Sequence, residues 1–299
     1  MMKAMSSAVA GLKAMQTGMD VIGNNISNVN TNGFKGSRTT YSDIYYQNLA
    51  AASASDATVV SGVVTAGNRG GTNYSQVGYG SSVSSVDMLM DRNGYDTTSS
   101  QTDLYIEGEG YFALKDGDDY TYTRVGNFFF DEKGQLTKGG TGELVCGSTY
   151  DATKDEFAPK PDATTGLYPA DGKPGPIVIK DFSSYTGVKI GKDGVITGVK
   201  GGKVETLGRV AIANIPNPAG LEQIGGSRYK ESSNSGIPAY YAAGQGATGT
   251  IKTNALESSN VDIANEFANM ITTQRGFQAN SKIITVSDSM LEELCNMKR

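Results

Sequence analysis

The acidic run Asp116-Gly117-Asp118-Asp119 has the flavour of a calcium-binding loop. Counted from Asp116, such a loop needs an oxygen-ligand side chain at the fifth position, where Tyr120 stands. It also needs a Glu at the twelfth, where Asn127 stands. The run therefore reads as an acidic hairpin turn. Gly108-Glu109-Gly110 is not a dinucleotide fingerprint, because no third glycine follows at Ala113 and no helix opens there. No phosphate loop of the Gly-Lys-Ser/Thr kind is present, and paired carboxylates fall only in surface-like turns. The chain has no His, which removes the base of an ordinary Ser-His-Asp triad and the commonest metal ligand. No catalytic, cofactor-binding or metal-ligating residue is expected. Cys146 and Cys295 do not make a disulfide framework. They read as two small buried hydrophobes, with a bond between them or a crosslink between subunits as the alternatives.

If the chain does not carry chemistry, its other patterns must say what it does. At 299 residues it is long enough for two or three domains, yet only 38% of its residues are hydrophobic. The formal charge is −5 and no cluster of Lys and Arg appears, which disfavours nucleic-acid binding. No segment approaches the ~20 apolar residues of a membrane span. Ala8-Val9-Ala10 mimics a signal-peptide cleavage site, but the apolar stretch before it is short and contains Ser6 and Ser7. The protein is expected to stay inside the cell, or to leave by a route that reads no cleaved leader.

Both ends carry a helical stripe. Met5, Ala8, Leu12, Met15, Met19, Ile22, Ile26 and Val29 recur at alternating spacings of three and four, a heptad seam. Ile263, Phe267, Met270, Phe277, Ile284, Leu291 and Cys295 follow a similar track, interrupted by Gln274, Ser281 and Asp288. Stripes this narrow invite burial against copies of themselves, which argues for assembly. The spacing predicts one helix from residue 3 to about 30, stopped near Gly33 in a left-handed conformation. Asn24, Asn25 and Asn28 lie off the seam and are candidates for lateral hydrogen bonds. The final helix is expected to be capped by Asn260 or a nearby Ser. Asp262 and Glu266 suit its first turns, and Lys298-Arg299 its end.

Between the helices the period is two. A Tyr-rich piece, residues 41–46, is read as helical, and residues 34–83 as linker-like or extended. From about Ser84, Leu104 with Ile106 and Phe112 with Leu114 share faces. Phe128-Phe129-Phe130 runs into the turn Asp131-Glu132-Lys133-Gly134. Residues 148–206 are looser and more polar, with a hairpin over Val188–Val199 turning at Asp193-Gly194. The expected fold is α+β: terminal helices forming a coiled-coil stalk, with nested mainly-β domains between them. The stalk takes residues 1–33 and 258–299, an inner β domain 84–147 and 207–257, and an inserted outer β domain 148–206. Residues 49–82 and 232–250, rich in Gly and Ser, are candidate compliant links.

Four stretches carry a resemblance. Met19-Asp20-Val21-Ile22-Gly23-Asn24-Asn25-Ile26-Ser27-Asn28-Val29-Asn30-Thr31-Asn32-Gly33-Phe34-Lys35 resembles the N-terminal signature of flagellar rod and hook proteins. The stretches from Thr102 to Phe112 and from Tyr122 to Phe128 resemble that family's β-domain motifs. The stretch from Leu256 to Asn280 resembles its C-terminal signature. The similarity covers residues 3–147 and 207–299. The chain's ending, Leu291 to Arg299, and its inserted block are most similar to hook subunits, with the distal rod as the alternative. The resemblance implies a structural subunit of the flagellar hook, polymerising outside the inner membrane into a flexible tube that acts as a universal joint and transmits motor torque from rod to filament, with a distal rod subunit as the alternative. Its partners would be copies of itself, the distal rod protein, the hook cap and hook-filament junction proteins, and the flagellar export apparatus. The seam residues Met5, Leu12, Met15, Met19, Ile22, Ile26, Val29, Ile263, Phe267, Met270, Phe277, Ile284 and Leu291 would be its subunit interface.

Overall fold

The computed structural model describes residues 2–54, 58–60, 63–65, 70–151, 156–162, 166–169 and 173–297. The chain has a helix at each end and a mainly β middle. It divides into two compact units. The first holds Met1–Ile26, Ser37–Asp87 and Asp262–Arg299, and the second Ser27–Gly36 and Met88–Val261.

In the first unit, helix α1 runs Met2–Ser27 and helix α2 runs Ile263–Asn296. Neither contains a proline, so nothing interrupts the hydrogen-bond ladder. The cap of α2 is Asp262, whose side chain accepts from the Ala264 amide at 2.9 Å and the Asn265 side chain at 2.7 Å. The expected cap, Asn260, lies two residues earlier in the other unit and is used there. Its Oδ1 accepts from the Gly36 amide, and its Nδ2 donates to the Leu89 carbonyl, both at 2.8 Å. Lys298 and Arg299 lie outside the described residues.

Tyr41 sits in the strand Ser37–Asp43 and Tyr46 opens the strand Tyr46–Ala50, so the expected helix at 41–46 does not form. Aromatic and β-branched residues favour a pleated surface, and here each strand has a partner. Ser37–Asp43 pairs with Ser81–Met88. Tyr46–Ala50 runs antiparallel to Ser75–Gly78, with Tyr46 opposite Gly78. This ribbon leaves Tyr45, Tyr46, Leu49, Tyr74 and Val77 exposed.

The second unit is built on a twisted sheet whose two faces are both covered. In order across it lie Phe128–Phe130, Leu136–Lys138, Leu144–Asp151, Lys203–Asn214, Tyr111–Asp116, Asp119–Thr123, Arg228–Lys230 and Glu222–Gly225. The period of two sorts side chains onto the faces. Phe112, Leu114, Val210 and Ile212 enter one core with Leu104, Ile106, Phe128 and Leu136. Their neighbours Tyr111, Ala113, Ala211 and Ala213 enter the other, with Tyr122, Tyr229, Tyr240 and Cys146. The hairpin Thr186–Ile190 and Val195–Lys200 forms as expected and extends the sheet from the first half of Lys203–Asn214. Ile177, Ile179, Ile190 and Ile196 of the 148–206 segment belong to the same core as Phe112. The reason is that Leu144–Asp151 and Lys203–Asn214 continue unbroken across both ends of that segment. In the 232–250 stretch, Ala239–Ala242 pairs with Lys203–Asn214 and Ser235 is fully buried.

Candidate functional site

The candidate site is the pair of terminal helices. On α1 the buried residues are Ala8, Gly11, Ala14, Gly18 and Asn25. Of the predicted seam, Met5, Leu12, Met15, Met19, Ile22 and Ile26 are half-buried, and Val29 lies past the helix end. The buried stripe is thus rotated from the large-residue seam onto small residues. Those are what allow two helices to approach closely. A Cβ at Gly11 would stand 2.7 Å from Asn280 Nδ2, and one at Gly276 would stand 3.4 Å from Met15 Cε. A Cβ at Gly18 would stand 3.8 Å from Thr273 Cγ2. Asn25 Nδ2 donates to Glu266 Oε1 at 3.2 Å. Along α1 these contacts climb from residue 11 to 25 while along α2 they descend from 280 to 266, so the helices pack antiparallel.

On α2, Met270, Phe277, Ile284 and Leu291 are half-buried on the track that includes the buried Thr273 and Ser287. Ile263 and Phe267 are exposed, at 44% and 50%. They do not join that track; with Ile271 they recur every fourth residue on another face. Ile283, Val286, Met290, Leu294 and Met297 form a further exposed apolar row nearer the C-terminus. The predicted seam therefore splits into half-buried residues and residues left facing outward. Sequence reasoning missed the glycines and polar residues of the inner contact. Their signal was present in Gly11 and Gly18, two small residues one heptad apart beside the seam.

A cleft of about 260 Å3 lies among α1, the strand Ser37–Asp43 and α2, lined by Gly18, Ile22, Arg38, Tyr41, Glu266 and Thr273. It is small. Cys146 is fully buried, and burial pushes its thiol up to about 12, so it is an inert core residue. Cys295 is exposed on α2, which corrects the expectation that both cysteines are buried; the two are unbonded. Among the described residues no group of three or more His, Cys, Asp or Glu is placed to hold a metal ion. No described helix is long and apolar enough to cross a membrane. An apolar surface on long helices is equipped to bind other protein surfaces.

Three family models match the chain. Residues 5–35 match the model described as flagella basal body rod protein. Residues 105–198 match the flagellar hook protein FlgE/F/G D1 domain, and 252–297 the flagellar basal body rod FlgEFG protein C-terminal. The flagellar basal-body rod protein FlgG of Bacillus subtilis (strain 168) is 41% identical over 301 residues, with all of both chains covered. The FlgG of Borreliella burgdorferi is 32% identical over 309 residues, again covering both chains. The flagellar hook protein FlgE of the same organism is 28% identical over an alignment of 452 residues. With a model on each terminal helix and another on the β unit, and a full-length relative at 41% identity, this chain belongs to the flagellar rod and hook family of axial structural proteins of the bacterial flagellum.

Proposed function

We propose that the chain is a structural subunit of the distal rod, polymerising into a rigid tube that transmits torque through the flagellar basal body. The observation that carries this is the full-length match to a basal-body rod protein at 41% identity, with no large insertion on either side. It replaces the expectation of a hook subunit. The hook relatives align over 452 and 473 residues, so they hold long stretches that this 299-residue chain lacks. The likeness of the chain's ending and inserted block to hook subunits is a likeness within one family.

In this reading α1 and α2 pair as a coiled-coil stalk and pack with the stalks of other copies. The rows from Ile263 to Ile271 and from Ile283 to Met297 are the faces those copies cover. Catalysis has no part in it. The partners are copies of itself and the neighbouring rod and hook proteins, reached through the flagellar export apparatus. The test is electron microscopy of basal bodies from a strain lacking the gene. A distal rod subunit predicts inner rods with nothing beyond them, and full-length rods that keep their distal segment and lack only the hook would contradict it.

A further inference from the structure

Three ionisable side chains meet inside the second unit. The side chains of Lys35 and Glu257 have no exposed surface, and that of Arg124 is 1% exposed. Lys35 Nζ lies 2.6 Å from Glu257 Oε1 and donates to the Asp91 carbonyl at 2.7 Å. Arg124 stands 3.7 Å from the other oxygen of Glu257, donates to the Gly108 carbonyl at 3.0 Å and lies over the Tyr111 ring. Glu109, mostly exposed, is 3.8 Å away. Backbone bonds frame the cluster: the Gly33 amide donates to the Glu257 carbonyl and the Leu89 amide to the Gly36 carbonyl, both at 2.8 Å. The Gly36 amide donates to Asn260. Lys35 and Glu257 are 222 residues apart in sequence.

Apolar contacts would hold these segments together in several registers. A buried ammonium on a buried carboxylate forms in one, because a one-residue slip strands both charges. The arrangement is not tuned for greatest stability. Two cations share one carboxylate, and Arg124 Nε and Glu257 Oε2 have no hydrogen-bond partner among the described residues. A cluster of this kind can select one register even where it adds little stability.

We propose that Lys35, Glu257 and Arg124 form a latch that fixes the register of the two segments leading out of α1 and into α2, residues 27–36 and 254–261, on the β unit. The latch is a property of the single subunit and does not depend on the distal-rod reading. Its test is amide hydrogen exchange, read by mass spectrometry on the full chain. The parent is compared with the apolar triple variant Lys35→Met/Arg124→Met/Glu257→Leu. The latch predicts exchange about tenfold faster in residues 28–36 and 254–261, with residues 111–116 changed by less than about twofold. Unchanged protection of the two segments would overturn it, as would a loss spread evenly over the β unit. If the triple variant does not fold, Lys35→Arg carries the same comparison. A guanidinium keeps the charge but not the compact shape of the ammonium, so the latch again predicts a loss confined to the two segments. An even loss or none overturns it.

Discussion

Asn25 and Glu266 join the two ends of the chain. Asn25 is buried on α1, and its Nδ2 donates both to Glu266 on α2 at 3.2 Å and to the Ser37 carbonyl at 2.7 Å. The Ser37 amide returns a bond to Asn25 Oδ1 at 3.0 Å. One amide side chain thus satisfies three groups on two further elements. Asn25→Ala should leave the Ser37 amide and carbonyl unpaired and cost about 1–3 kcal/mol. Asn25→Asp should cost more, because it removes the donors and sets a second carboxylate beside Glu266. Loss of ellipticity at 222 nm on heating should come several degrees earlier in both, while the β signal keeps its midpoint.

Gly126 should be far less tolerant than most glycines in the chain. A Cβ there would lie 1.9 Å from the carbonyl oxygen of Leu104, which is backbone and cannot swing aside. Leu104 is fully buried and its amide donates to the Gly126 carbonyl at 2.9 Å. Gly126→Ala should cost about 3 kcal/mol and lower the Tm of the β unit by roughly 6–12 °C. Gly117→Ala is the control. Its φ is +63°, but nothing lies within 4 Å of its added methyl, so it should cost only about 1 kcal/mol. Equal melting temperatures for the two variants would contradict the packing described here.

The β unit should lose stability in strong alkali through its buried phenols and thiol. Burial pushes Cys146 from an ordinary 9.0 to about 12, and Tyr240 from 10.0 to about 12. It raises Tyr122 and Tyr229 as well. A group raised on folding contributes stability that is intact below its unfolded value and lost as pH climbs through its folded one. Lys35 and Lys138 are lowered from 10.5, chiefly by burial, and act in the opposite direction below that value. The net decline should therefore be steepest above about pH 10.5. Between there and pH 12 the stability of Cys146→Ala should fall less steeply, by up to one proton in the linkage slope. Identical slopes for parent and variant in denaturant titrations would rule out this role for Cys146.

In the free subunit the terminal helices should exchange amide hydrogens faster than the strand Lys203–Asn214. That strand is hydrogen-bonded along its length to four others, and its second half is largely buried. Among the described residues of α2 only Thr273 and Ser287 are buried. Brief proteolysis should accordingly cut within α1 and α2 first and leave a resistant β body. Equal resistance throughout the chain would count against it.

The shared face of Phe112 and Leu114 was legible from the period of two, although both faces of the sheet are buried and the residues between them, Tyr111 and Ala113, enter a second core. The two helices were legible from the heptad spacing. What was not legible followed from competition among equivalent residues. Ser258, Ser259, Asn260 and Asp262 are all good caps, and which one is used depends on Asn260 being taken by Gly36 and Leu89. The inner helix contact was mislocated because spacing weighs large apolar residues, whereas close approach is set by Gly11, Gly18 and Gly276. Tyr41 and Tyr46 lie in strands because partners at Ser81–Met88 and Ser75–Gly78 accept them, and local sequence does not show partners.

We propose that the outward apolar rows of α2 are covered by other copies. Phe267 tests it best, because it is half-exposed in the subunit and its replacement leaves the inner contact intact. Phe267→Asp would put an uncompensated charge into every subunit contact, at a cost of several kcal/mol each. The measurement is electron microscopy of basal bodies from cells carrying Phe267→Asp, beside melting of the purified subunit. The expected result is a subunit that melts like the parent yet builds no rod, with Lys282→Asp on the same helix far milder. Rods of normal length and number built from Phe267→Asp subunits would contradict it.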